Sequence, residues 1–256
     1  MKKIFCLLLV SCLLLLSKSS AASKFSFRIS GEDVFFITEN NSMFLVQPSS
    51  IICNGNMLYF AAQDFTAKKD LTVEKTKDIK VIVDEENRKV AKATFLLADD
   101  KKGVQRDYEL VLFLETRKEF PFLVIYSKFV YTGSGTNECG INWAVDSTHD
   151  PFKYYTIPQK GENKAVPLVK TRRTKIGQAN WIFVHNGKGV GAGIIAPAAV
   201  LGRGEDFIFL TSVPPKKKLK RGESLDVFII FMPINKNFKT LPEIFERIKT
   251  IKWEYK

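Results

Sequence analysis

Histidine is scarce in this chain of 256 residues: there are two, His149 and His185, so any imidazole chemistry must run through one of them. Cysteine is nearly as sparse, at four, and no C-x-x-C or H-x-x-x-H spacing occurs, which argues against a zinc site. No G-x-S-x-G elbow is present, so the sequence marks out no nucleophilic serine with local partners. Long apolar runs are missing too. The longest, Ile4 to Leu16, is interrupted by Ser11 and Cys12 and falls short of the roughly 20 residues that a bilayer-spanning helix requires. No internal repeat, low-complexity tract or linker divides residues 23–256.

That short apolar run has the anatomy of a secretory signal: Lys2 and Lys3 precede it, and the small polar stretch Ser17 to Ala22 follows. The expectation is a signal peptide over 1–22, cleavage after Ala22, and a single exported domain over 23–256, periplasmic or extracellular. Leu9-Val10-Ser11-Cys12 also resembles a lipobox, and lipid anchoring through Cys12 is the competing fate, although Leu13 to Leu16 would leave an apolar tail behind the lipid. Neither fate leaves an integral membrane span in the mature chain. Loss of Lys2, Lys3 and Lys18 lowers the net charge from +12 to +9, still basic enough to favour an acidic polysaccharide or a phospholipid surface; export removes nucleic acid from the expected partners. Of the mature cysteines, Cys53 and Cys139 either pair or stay apart. A bridge would close a loop of roughly 86 residues and contribute on the order of 4 kcal/mol. Alternatively Cys53, after Ile51 and Ile52, is a small buried hydrophobe.

What the sequence has in quantity is period-two alternation broken by turns. Tyr108, Leu110, Leu112 and Leu114 face one way, and Asp107, Glu109, Val111, Phe113 and Glu115 the other. With the apolar run from Phe120 to Tyr131, this makes residues 106–131 a central hairpin. Short strands are expected at Phe25–Ile29, Val34–Ile37, Met43–Val46, Met57–Gln63, Leu71–Lys75, Ile79–Val83 and Lys89–Leu97. Further ones fall at Trp181–His185, Val190–Ile195, Phe207–Ser212 and Leu225–Phe231. So many strands at short spacing predict an all-β antiparallel two-sheet sandwich. One short C-terminal helix completes it: Thr240 and Glu243 form a capping-box pattern, and Leu241, Ile244, Phe245, Ile248 and Ile251 recur at helical spacing. Asp146 to Thr174 is polar and poorly periodic and reads as loop.

Gly187, Gly189, Gly191 and Gly193 do not form a dinucleotide fingerprint, because they lead into Ile194-Ile195-Ala196-Pro197 and not into a helix. Their alternation places them on one face of a strand, and Asn186-Gly187 marks a hairpin turn. This pairing predicts Trp181, Phe183 and His185 on one face beside Val190 and Ala192, with the glycines behind Ile182 and Val184. Aromatic platforms beside polar groups suit sugars, and two neighbourhoods offer them: Trp143, Asp146 and His149 with Tyr154, and Trp181 with His185. The weak catalytic candidates are His149, His185 and Glu138, and among the many carboxylates nothing selects a glycosidase pair. Of two basic clusters, Lys170 to Lys175 offers the guanidinium forks of Arg172 and Arg173 to an acidic glycan. Lys216 to Arg221 reads as a strand edge guarded by lysines. No metal and no cofactor is expected.

The strand pair ending Glu119-Phe120-Pro121-Phe122-Leu123-Val124-Ile125-Tyr126-Ser127, the hairpin from Trp181 to Gly191, and Lys220-Arg221-Gly222-Glu223-Ser224-Leu225 entering the last long strand resemble the β-supersandwich of galactose mutarotase-like proteins and related domains of glycoside hydrolases and polysaccharide lyases. The resemblance covers about half of residues 23–256. It implies a carbohydrate-binding or carbohydrate-processing protein; mutarotase-type catalysis would require a histidine acid and a carboxylate base. This chain lacks the family's usual supply of histidines. A non-catalytic structural or interaction protein of the cell envelope is the alternative.

Overall fold

The computed structural model describes residues 25–38, 41–148, 151–157, 165–168, 174–178, 180–188, 191–196, 200–203, 207–211, 216–233 and 240–248. The expected leader, Cys12, His149, Arg172 and Arg173 lie outside these residues.

Among the described residues the strands are, in chain order, β1 (Ser26–Ser30), β2 (Asp33–Ile37), β3 (Met43–Gln47), β4 (Ser50–Cys53), β5 (Asn56–Asp64), β6 (Lys69–Asp84) and β7 (Arg88–Asp99). There follow β8 (Gln105–Arg117), β9 (Leu123–Tyr131), β10 (Thr136–Ser147), β11 (Tyr154–Thr156), β12 (Val166–Pro167) and β13 (Thr174–Gln178). Last come β14 (Trp181–His185), β15 (Gly191–Ile195), β16 (Val200–Arg203), β17 (Ile208–Thr211), β18 (Lys217–Lys220) and β19 (Ser224–Pro233), then the helix α1 (Thr240–Ile248).

These strands pair antiparallel, and their order makes two layers. In the first, β1 to β5 form a meander, and the free side of β5 takes β10, which in turn takes both β17 and β18. In the second, β6, β7, β8, β9, β19, β15, β14 and β11 are successive neighbours. The layers divide at β5, whose one edge pairs with β4 through residues 56–59 and with β6 through residues 62–64. A two-residue turn permits the tight β4–β5 hairpin: Asn54 and Gly55 both have positive φ, 48° and 77°, as the hairpin turn that matches strand twist requires.

The two runs expected at Leu71–Lys75 and Ile79–Val83 are one strand, β6. Its register with β7 shifts at three places, 73/75, 76/78 and 81/83, and bulges of this kind let one strand bend while it stays paired. The expected central hairpin is β8 and β9, paired from Tyr108↔Tyr131 to Glu115↔Val124.

Alternation fills the space between the layers. Phe44 of β3 meets Phe231 of β19 edge to face at 6.0 Å, and Phe60 of β5 meets Phe129 of β9 at 6.2 Å. One buried polar relay crosses the core: the Trp143 Nε1–H donates to Ser127 Oγ at 3.1 Å, and the Ser127 hydroxyl donates to the Val227 carbonyl at 3.0 Å. Burying the indole is tolerable only because its N–H is satisfied in this way.

A second, smaller core lies on the outer face of the second layer. Phe120, Phe122, Val124, Trp181, Phe183 and Ile230 contribute to it, and Ile244 and Ile248 of α1 pack onto it. The helical spacing of those isoleucines therefore has the cause the sequence suggests: α1 is a lid with one apolar stripe, exposing Glu243, Glu246 and Arg247. Arg247 places its guanidinium 5.0 Å from the Phe120 ring centroid.

Cys53 and Cys139 are both buried and unbonded. Cys53 pairs with Asn56 at one end of β5 and Cys139 with Asp64 at the other. Eight residues of strand separate those positions, roughly 26 Å, against the 4.4–6.8 Å between Cα atoms that a disulfide needs. The bridge is incompatible with this register, and the reading of Cys53 as a small buried hydrophobe is the correct one. Burial pushes both thiols up to about 12.

Candidate functional site

Strand β10 organises the site, and alternation gives it two unlike faces. Ile141, Trp143 and Val145 point into the core. Asn142 and Asp146 are half-buried on the opposite face, with Ala144 between them. Directly opposed residues of antiparallel strands share a face, so the pairs Tyr59↔Ala144 and Ala61↔Asn142 bring β5 to the same outer surface. There a groove of about 270 Å³ opens, lined by Tyr59, Gln63, Asp70, Asn142, Ala144 and Phe207. Ala61 and Ala144 keep its floor low, since a longer side chain at either position would occupy it. The Tyr59 and Phe207 rings supply apolar faces. Around them stand amides and carboxylates: Gln63 Nε2 donates to Asp70 Oδ1 at 2.7 Å, and the Asp100 backbone N–H donates to the Asp70 carbonyl oxygen at 3.1 Å.

This composition suits a polyhydroxylated ligand, because carboxylate and amide oxygens accept from hydroxyls, amide N–H groups donate to them, and aromatic faces cover C–H surfaces. Two aspartates, Asp70 and Asp100, line the groove. No group of three or more His, Cys, Asp or Glu among the described residues is arranged to hold a metal ion.

The residues read from the sequence fall into three sets. Trp143 and Trp181 are core residues, 1% and 4% exposed, and neither offers a platform. The expected contact surface shared by Trp143 and Asp146 does not form, because an odd and an even position on one strand face opposite ways. The loop expected from Asp146 also begins later, since β10 runs to Ser147. Asp146 does share the outer face with Asn142 and Ala144, and its Oδ1 accepts the Ser147 N–H at 2.7 Å. Glu138 stands further along that face, its carboxylate 3.5 Å from Lys216 Nζ.

Tyr154 and His185 come together away from these. His185 stacks on Tyr154 at 5.2 Å and on Phe183 at 5.0 Å. Its Nδ1 accepts the Gly187 N–H at 3.2 Å, which leaves Nε2 to carry the proton in the neutral ring, and burial holds its pKa below the ordinary value. The expected glycine geometry is reversed here. The pairs Phe183↔Gly193 and His185↔Gly191 put these glycines on the aromatic face, while Val184↔Ala192 and Ile182↔Ile194 face the main core. The hairpin register is shifted by one residue from that expected, and a one-residue shift moves every side chain to the other face. Gly187 belongs to the turn, with φ of 80°, and a Cβ there would lie 3.2 Å from the Tyr154 ring.

Sequence reasoning does not find Tyr59, Gln63, Asp70, Asn142 or Phe207. The available signal is alternation in Leu58 to Gln63 and Ile141 to Asp146, where large apolar residues interleave with small or polar ones.

No family model matches the chain, and no curated protein matches it in sequence. Solved structures do match in fold. An α-mannosidase from Enterococcus faecalis V583 aligns over 88% of this chain and 31% of its own, with a TM-score of 0.54 at 10% identity. The α-galactosidase from Lactobacillus brevis aligns over 86% of this chain and 41% of its own, with a TM-score of 0.50 at 10% identity. A protein assigned as an aldose 1-epimerase from Klebsiella pneumoniae subsp. pneumoniae MGH 78578 aligns over 90% of this chain and 87% of its own, with a TM-score of 0.47 at 8% identity. The sandwich is of the kind found within the two glycosidases, and the resemblance read from the sequence stands as a likeness of fold. The chain spans less than half the length of the two glycosidases. Among the described residues no helix is long and apolar enough to cross a membrane.

Proposed function

We propose that this is an exported carbohydrate-binding protein whose sugar seat is the outer groove of β5 and β10. The groove itself carries the reading: small residues at Ala61 and Ala144 leave space beside two aromatic rings, and Gln63, Asp70 and Asn142 surround that space with hydroxyl partners. The fold shared with domains of carbohydrate-processing enzymes agrees with it. Export rests on the signal-like 1–22 segment, and the net positive charge favours acidic polysaccharides over neutral ones.

The test is a panel of neutral, carboxylated and sulfated polysaccharides, scored for retention and for product release over a salt series, with the parent protein and Ala61→Trp. Retention that survives moderate salt and is lost in Ala61→Trp, with unfolding unchanged, supports a built site. Product release lost in the same variant extends the function to catalysis. If the parent retains no glycan, or Ala61→Trp retains it equally well, the groove is not a sugar seat.

A further inference from the structure

The sheet face that carries the groove continues beyond it. Following β10 toward its start, the outer face passes from Asn142 through Gly140 to Glu138 and Thr136, and β18 pairs beside it. Lys218 lies opposite Glu138 and Lys220 opposite Thr136, both exposed, while Leu219 between them is buried. The alternation therefore turns Lys218 and Lys220 to the groove's side of the sheet. Lys216 joins them, with its ammonium 3.5 Å from Glu138 and 5.4 Å from the centroid of the Phe65 ring. Phe65 is 37% exposed, and its backbone N–H donates to the Glu138 carbonyl at 2.8 Å, which fixes it at the border of this strip.

Resting on the carbohydrate reading, we infer that the groove and this strip are one track, and that it takes an extended anionic glycan lying along β10, with its acidic groups on Lys216, Lys218 and Lys220. Three observations carry this. Length is the first: Ala144 to Thr136 spans eight residues of strand, roughly 26 Å, which suits several linked sugars better than one. Charge is the second. Lys216, Lys218 and Lys220 stand against two carboxylates, Glu138, 3.5 Å from Lys216 Nζ, and Glu223, which accepts the Lys220 backbone N–H at 2.8 Å, so the strip keeps an excess of positive charge, whereas a strand edge protected by lysines needs no common face with a groove. Segregation is the third: Asp70 and Asp100 border the groove on the β6 side, where carboxylates accept from sugar hydroxyls and repel acidic groups, and the lysines border the strip on the β18 side. An acidic chain is thereby oriented, hydroxyls toward β6 and charges toward β18. Phe65 offers a ring face at the basic end.

The test measures binding of an oligogalacturonate and of its fully methyl-esterified, uncharged counterpart to the purified full chain, to the double variant Lys218→Gln/Lys220→Gln, and to Ala61→Trp. The track predicts that the carboxylated oligomer binds on the order of tenfold more tightly than the ester, since each exposed charge contact adds modestly. It predicts that the double variant erases this advantage, that longer oligomers bind more tightly than the dimer, and that Ala61→Trp weakens both ligands. Equal binding of the two oligomers to the parent overturns the track and leaves the sugar seat standing. Binding of the carboxylated oligomer that ignores Ala61→Trp and fades with salt also overturns it, because the lysines then act as an isolated charged edge. If neither oligomer binds and the neutral and sulfated polysaccharides are not retained, the carbohydrate reading falls with it.

Discussion

The outer faces of the two layers are built alike and used differently. On the second layer that face carries Phe122, Val124, Phe183 and Ile230, an apolar patch that water cannot stabilise, and α1 covers it with Ile244 and Ile248. On the first layer the corresponding face carries Ala61, Gln63, Asn142 and Ala144, and here a groove stands open. Strand geometry is common to both. The choice of outward residue decides whether a face must be covered or can receive a ligand, and the inner faces, apolar in both, do not distinguish them.

The contrast is most violently broken at a residue that belongs to neither outer face. Trp143→Ala removes a fully buried indole and leaves Ser127 without its donor, and large-to-small changes of this kind cost about 4 kcal/mol. A urea midpoint that barely moves would contradict the core assignment of Trp143. Ile248→Ala strips the lid of its buried contact and should cost about 3 kcal/mol, with dye-detectable apolar surface on the second layer. At Asn142, one residue from Trp143 but on the open face, alanine should change stability by under about 1 kcal/mol and weaken glycan retention on the order of fivefold. Together these three separate structural from functional positions, two of them neighbours on the single strand β10.

Two smaller effects sharpen the comparison chemically. Cys53 and Cys139, pushed up to about 12 by burial, should resist thiol reagents in the native protein at neutral pH and react fully after unfolding; rapid native labelling of either would contradict the core. His185 titrates lower in the folded chain than its ordinary 6.5 because burial disfavours the imidazolium. Its contribution is therefore fully present above that value and declines as pH falls from about 6.5 toward the folded pKa, where the unfolded state alone binds the proton. Urea melts of the parent and His185→Gln between pH 7.5 and 5 should show a shallower decline in the variant; identical slopes would remove His185 from the acid response.

Much of this architecture is legible in the sequence, because strand alternation and turn residues are local. The hairpin of β8 and β9, the strand at Trp181–His185 and the C-terminal helix each follow from patterns within about twenty-five residues. Strand β10 escapes such a reading, since its outward positions are Gly140, Asn142, Ala144 and Asp146, none of them a marked strand former. The site escapes it for a related reason. Aromatic residues draw attention as sugar platforms, but Trp143 faces inward, and the groove is made largely by small residues, whose importance appears only once β5 and β10 lie side by side. Their pairing joins Cys139 to Asp64, and no local signal announces a contact across that distance.

The divided edge of β5 has a mechanical consequence. A sandwich held only by side-chain packing can slide or hinge between its layers, as two plates with grease between them. Here one strand belongs to both plates, hydrogen-bonded to β4 at one end and to β6 at the other, so shear between them must first tear backbone pairs. The amides of β5 should accordingly be among the last to exchange with deuterium, and a ligand pulling along the adjoining β10 would load the entire molecule and not one of its halves.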